Sequence, residues 1–130
     1  MIEIRTKNRI EIVDITSQVR EKIRKSGVNE GIALVYSKHT TTAITINENE
    51  SGLKEDIIKC IKNLIPSSAG YSHDRIDNNA DSHLRAILIG NSVAVPVTDG
   101  NPELGTWQSI LFIELDGPRS RRVGVKVVGA

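Results

Sequence analysis

Three histidines are the side chains in this sequence best suited to proton or metal chemistry near neutral pH, and none sits within a periodic apolar face. His39 lies at a strand end, His73 in a polar stretch and His83 in a short helical segment. Neutral imidazole is a preferred zinc ligand, and three imidazoles with a water make an open catalytic site. The spacing does not select that use. There is no HExxH, and the same three residues serve equally as surface or capping histidines. Asp74, Asp77 and Asp81 flank the last two. Carboxylates there could orient an imidazole through its second nitrogen or bind a hard cation. Asp74 and Asp77 also suit a solvated loop, and Asp81 a helix cap.

Four other clusters could carry chemistry. Ser37 to Thr42, SKHTTT, joins two apolar runs and is dense in hydroxyl donors, with one lysine and one imidazole. Hydroxyls, backbone N–H groups and a cation make a workable phosphate site, although threonine is also an ordinary strand residue. Asn47-Glu48-Asn49-Glu50 leaves the next strand abruptly. A helix N-terminus accounts for Asn49 and Glu50, which leaves Asn47 and Glu48 as a polar pair able to bind a ligand or act as acid and base. Asp99-Gly100 and Gly105-Thr106-Trp107-Gln108 bracket a loop whose glycines let backbone approach a ligand closely. It is neither a P-loop nor a GxGxxG turn. Finally, Arg119-Ser120-Arg121-Arg122 could clamp a diphosphate or pair with acids across a subunit contact, with Arg122 facing away from Arg119 and Arg121 on a strand.

The elements that must position these residues follow from periodicity. Ile2, Ile4, Ile10 and Ile12 alternate with polar residues and predict two half-buried strands, with Lys7-Asn8 as a hairpin turn. Thr16 caps a helix near 17–26 that Gly27 closes. The continuous run 31–36 predicts a strand buried on both faces, and 40–46 another strand. A helix capped by Asn49 or Ser51 carries Leu53, Ile57, Ile61 and Leu64 on one face and stops at Pro66, with Cys60 on its apolar side. The polar stretch 66–79 is long enough to suggest a functional loop. A short helix over 80–89, or alternatively a strand, follows, then a strand at 93–95 limited by Pro96, a turn-rich loop over 98–106, and strands near 107–115 and 121–128. The sum is one α+β domain over residues 1–130, with about seven strands in a mixed or antiparallel sheet and two or three helices.

Composition narrows the function. The chain has 130 residues, with 17 Lys+Arg against 16 Asp+Glu, so the net charge is +1. That balance argues against a dedicated nucleic-acid binder, and four aromatics are too few for a base-stacking platform. The single cysteine rules out an intrachain disulfide. No apolar run approaches the ~20 residues of a membrane helix, and the charged start is not a signal peptide. A soluble cytoplasmic protein, with neither nucleic-acid nor membrane partners, is the expectation.

Taken together, HTTTAITINENE at 39–50, the histidine-bearing stretch from Tyr71 to His83, PVTDGNPELGTWQSI at 96–110 and ELDGPRSRRVGVKVVG at 114–129 resemble the YjbQ-like family, named as secondary thiamine-phosphate synthases. The likeness runs along nearly the whole chain. It implies a compact α+β fold and a homotrimer with sites near subunit contacts. The family's polar positions match at His39, Thr40, Thr41, Asn47, Glu48, His73, His83, Asp99, Gly100, Trp107, Gln108 and Arg119. The implied reaction joins hydroxymethylpyrimidine diphosphate to thiazole phosphate with loss of diphosphate. On this basis His39, His83, Asn47 and Glu48 are catalytic candidates. Thr40, Thr41, Asp99, Gly100, Trp107, Gln108 and Arg119 would bind a small phosphorylated substrate. His39, His73 and His83 would hold a divalent metal, zinc or magnesium, with Glu48 or Asp81 in reserve. The alternative is a small-molecule or metal-binding trimeric module with thiamine-phosphate formation only as a side activity.

Overall fold

Alternation shapes the first two strands as expected, but not their pairing. The computed structural model describes all residues, 1–130. Strand β1 (Ile2–Arg5) buries Ile2 and Ile4, and β2 (Glu11–Asp14) buries Ile12. They do not form a hairpin. The Glu11 carboxylate accepts from the N–H groups of Lys7 and Asn8 and turns the chain there. It then enters a second sheet, so β1 and β2 never meet.

Six further strands complete the two sheets: β3 (Gly31–Ser37), β4 (Thr42–Asn47), β5 (Ser92–Thr98), β6 (Asn101–Pro102), β7 (Ser109–Glu114) and β8 (Ser120–Gly129). The larger sheet has five strands in the order β1-β8-β3-β5-β6, and the smaller has three, β2-β7-β4. Every pairing is antiparallel. The α+β class stands, with eight strands in two sheets where about seven in one were expected. Pro96 lies within β5 without ending it, because that edge is flanked only by the two-residue β6, at Val97 and Thr98.

The burial of β7 explains the second sheet. Ile110 and Phe112 enter one core, while Leu111 and Ile113 enter another. A strand apolar on both faces is a middle layer. On one side it meets the inner face of the five-stranded sheet, through Ala33, Val35, Val95 and Val97, together with Val19 and Ile23 of α1 (Thr16–Ser26). On the other side it meets α2 (Ser51–Leu64) and α3 (Ala80–Ile89), through Ile57, Ile58, Ile61, Ala86 and Ile89.

Strand β3, expected to be buried on both faces, is buried on one. Ala33 and Val35 point inward, while Ile32 is 56% and Leu34 40% exposed. Nothing in the chain covers the outer face of the five-stranded sheet at this strand. Two details of α2 also differ. Its cap is Glu50, whose carboxylate accepts from the N–H groups of Gly52 and Leu53. Cys60 is exposed, because Ile57, Ile58 and Ile61 take the side of the helix facing the core. The stretch 66–79 contains a single 3-10 turn, Ser72–Arg75. No helix is long and apolar enough to cross a membrane.

Candidate functional site

The connection from β3 to β4 takes only four residues, 38–41, and buried polar side chains hold it rigidly. The hydroxyls of Ser37 and Thr42 lie 2.7 Å apart, and Ser37 Oγ also accepts the His39 N–H at 3.1 Å. Thr41 is buried; its carbonyl accepts from Leu115 N–H at 3.1 Å, and its hydroxyl from Arg121 Nη2 at 2.8 Å. The N–H groups of Lys38, Thr40 and Thr41 have no acceptor within the chain.

Beneath this connection lies an ion pair. Arg121 is 5% exposed and Glu114 fully buried. Arg121 donates from Nε to Glu114 Oε1 at 2.9 Å and from Nη2 to Oε2 at 2.6 Å. The Thr6 hydroxyl donates to the same carboxylate at 2.8 Å, and the Asp116 N–H at 3.0 Å. Burial pushes the Glu114 carboxyl up, but Arg121 and these donors outweigh it and hold it below the usual carboxylate range.

His39 leans on the start of β8. Its Nε2 accepts the backbone N–H of Arg122 at 3.0 Å. Burial lowers its pKa, and the Arg121 guanidinium lowers it further against a weaker opposing effect of Glu114. His83 reaches from α3 into the same groove. One compartment of about 470 Å³ runs past Ser37, Thr42 and Ile87. Another of about 360 Å³ runs past Thr41, Arg119 and Arg121, and both share Lys38, His39, Thr40 and His83. Arg119 is steered by Asp116, donating to its carbonyl at 2.9 Å and its carboxylate at 3.2 Å. His73 stacks edge-on against His83, with ring centroids 4.8 Å apart, and leaves a buried Nε2 without a partner, 4.0 Å from Asp77.

A divalent ion would need three of these side chains around one point. His39, His73 and His83 do not converge on one point, and no group of three or more His, Cys, Asp or Glu side chains in the chain is placed to hold a metal. His39 has already committed Nε2 to Arg122. Asp81, a reserve ligand by sequence, is 2% exposed and lies between Arg9 at 3.1 Å and Arg85 at 3.0 Å. It anchors α3 instead of serving an imidazole. Within one chain these residues do not form a three-ligand set.

The sequence candidates divide between two ends of the molecule. His39, Thr40, Thr41, His73, His83 and Arg119 gather at the groove. Asn47, Glu48, Asp99, Gly100, Trp107 and Gln108 lie at the opposite ends of β3 and β4, a strand length of about 20 Å away. There Asn47 pairs with Ser109 across β4 and β7, next to Glu48 and Gln108. Gln108 Oε1 accepts from Gly105 N–H at 2.8 Å, and Trp107 is 74% exposed. The Asp99 N–H donates to Glu30 at 3.1 Å, with Asp99 and Gly100 at φ 51 and 75, a left-handed turn. Sequence reasoning placed Arg121 beside Arg119 in a possible diphosphate clamp but did not foresee its burial against Glu114. The available signal was Glu114 in the otherwise apolar run SILFIEL, since a carboxylate there demands a buried partner.

Comparison with known proteins agrees with fold and motifs. Residues 1–130 match the family described as UPF0047 protein YjbQ-like. A UPF0047 protein of Methanothermobacter thermautotrophicus is 54% identical over 128 residues, covering 98% of this chain and 90% of that one. UPF0047 protein YugU of Bacillus subtilis is 36% identical over 132 residues, covering 98% and 97%. The crystal structure of a YbjQ-like protein of unknown function from Sulfolobus solfataricus superposes with a TM-score of 0.96 at 43% identity, over 99% of this chain and 94% of that one. With likeness from end to end in both sequence and backbone, the chain belongs to the YjbQ-like UPF0047 family.

Proposed function

We propose that the groove binds the phosphate end of a small molecule, and that the protein is a thiamine-phosphate synthase-like transferase. The observation that supports this is a set of donors along one groove, where the carboxylates of Asp77 and Asp116 also stand. The N–H groups of Lys38, Thr40 and Thr41 have no acceptor in the chain, and the Lys38 and Arg119 cations and two imidazoles line the same surface. In the proposed reaction the thiazole nitrogen attacks the methylene carbon of hydroxymethylpyrimidine diphosphate. A C–N bond forms, the C–O bond breaks, and diphosphate departs with the electron pair. Lys38, Arg119 and the loop N–H groups would stabilise that developing charge, and His83 would supply a proton to the leaving oxygen.

A homotrimer belongs to the same proposal. Asn47, Glu48, Trp107 and Gln108 cannot reach the groove of their own chain, so a second copy would have to bring them there. The uncovered sheet face, with Ile32, Leu34 and Val128 exposed, offers apolar surface for such assembly. Sedimentation showing a monomer at working concentration removes this part.

The test is thiamine-phosphate formation from the two phosphorylated precursors, in the parent and in His83→Ala. A fall of at least tenfold, about 1.4 kcal/mol of transition-state stabilisation, supports chemistry in the groove. Equal rates place the activity elsewhere. Tight binding of the precursors without turnover in either protein identifies a binding module.

A further inference from the structure

His39 is fixed by its surroundings in a way that limits what it can do. The Arg122 backbone N–H points at Nε2 from 3.0 Å, so Nε2 must present a lone pair and the proton of the neutral ring must sit on Nδ1. Backbone cannot rotate to accommodate the other tautomer, and β8 is held there by its pairing to β1 and β3. Nδ1 has no partner in the chain and is not among the buried unsatisfied atoms. His39 lines both groove compartments, together with Thr40. Two charged groups lie beneath the ring, Arg121 and Glu114. Arg121 disfavours a second proton on the ring, as does burial, and Glu114 opposes them more weakly.

We infer that His39 is a tautomer-locked, uncharged donor that offers Nδ1–H to an oxyanion in the groove. It therefore acts neither as a general base nor as a cationic clamp. The inference rests on the proposal that the groove takes a phosphate group. The N–H groups of Lys38, Thr40 and Thr41 on the same connection would join the ring as neutral donors, and the charge is left to Lys38 and to Arg119, itself paired with Asp116. Neutral donors that need no reorganisation favour an oxyanion without depending on protonation near neutral pH. His83, whose ring stands edge-on to His73, is not held to one tautomer by a backbone N–H in this way.

Long-range proton–nitrogen correlation spectra of the nitrogen-15-labelled protein at about pH 8, above the ordinary histidine range, read the tautomer directly. His39→Asn assigns the signals, and inorganic phosphate is the probe. The expected result is a proton on Nδ1 of His39, with phosphate shifting both that proton and the Lys38, Thr40 and Thr41 amides. A proton on Nε2 overturns the inference. So do shifts confined to the amides, since the loop then binds phosphate without His39. No shift anywhere in 37–42, with Nδ1 still protonated, removes the phosphate site itself and with it the donor role. In titrations with phosphate, His39→Ala is expected to weaken binding about tenfold, roughly 1.4 kcal/mol. His39→Asn, whose amide N–H overlays Nδ1–H, is expected to recover part of that loss. Failure of Asn to improve on Ala counts against the inference even where both variants fold.

Discussion

At the groove end of β3 and β4 the chain buries four charged side chains, Asp81, Arg85, Glu114 and Arg121, with Thr6, Ser37, Thr41, Thr42 and Ser82 packed around them. At the other end the buried side chains are apolar, and Asn47, Asp99 and Gln108 stand in solvent with Glu48 half-buried, Trp107 being the most exposed aromatic at 74%. Buried charges cost free energy unless their lone pairs and protons find partners, and here most do, Arg85 Nη1 having only the nearby Asp81 carboxylate. Glu114 accepts from Arg121, Thr6 and two backbone N–H groups. Asp81 accepts from Arg9 and Ser67 and pairs with Arg85. Such a network fixes the positions of the side chains above it. One end is built to hold donors still; the other presents surface.

The strongest way to break that contrast is to remove one member of the lower ion pair. Glu114→Ala leaves the Arg121 guanidinium buried without a counter-charge and is expected to cost about 3–5 kcal/mol in urea unfolding. Glu114→Leu combined with Arg121→Met should cost clearly less than either single change. A single-variant loss below about 1 kcal/mol would mean that the pair is not what supports the 38–41 connection.

Acid tests the same end more gently. The folded-state pKa values of Glu114 and Asp81 are both lowered. In each case burial raises the value, and the arginine partners and hydrogen bonds more than reverse it. A lowered folded value means that the carboxylate contributes stability in full above its unfolded value, near 4.5 for Glu114 and 3.8 for Asp81. That contribution is lost as pH falls through the lowered folded value. Urea midpoints should therefore be nearly flat from about pH 7 to about pH 5 and fall below that. In Glu114→Gln the fall should be shallower. A parallel curve for that variant would assign the acid sensitivity elsewhere.

The same contrast explains what could be read from the sequence. Helices α1 and α2 and the strand runs were legible because apolar residues at period 3.6 or 2 declare a buried face, whereas 80–89 read as helix or strand. Gly27 declared its helix end, and it adopts the left-handed φ of 74 as a C-cap. Which strands pair was not legible. Ile2–Arg5 and Glu11–Asp14 look like a hairpin locally, and only the two-sided burial of β7 sends them to different sheets. At the site, residue types pointed to His39, Thr40, Thr41, His83 and Arg119, which do share a groove. Their separation from Asn47, Glu48, Trp107 and Gln108 was invisible, because motif lists carry no distances. The role of Arg121 was hidden by its neighbours: three arginines in four residues read alike as a diphosphate clamp or a subunit contact, until Glu114 is seen beneath one of them.

The smallest expected effect on stability belongs to the exposed end, and it sharpens the contrast most. Trp107 is 74% exposed, and truncating a side chain that packs on nothing removes little burial. At low protein concentration Trp107→Ala and Glu48→Gln should each change unfolding free energy by no more than about 0.5 kcal/mol. The informative readout is then mass. A second copy covering this end would bury the indole and desolvate Glu48, so Trp107→Ala should lower the sedimenting mass at a concentration where the parent is assembled. If the tryptophan variant sediments like the parent, no copy is held through that residue, and the six candidates at this end must serve a ligand of their own.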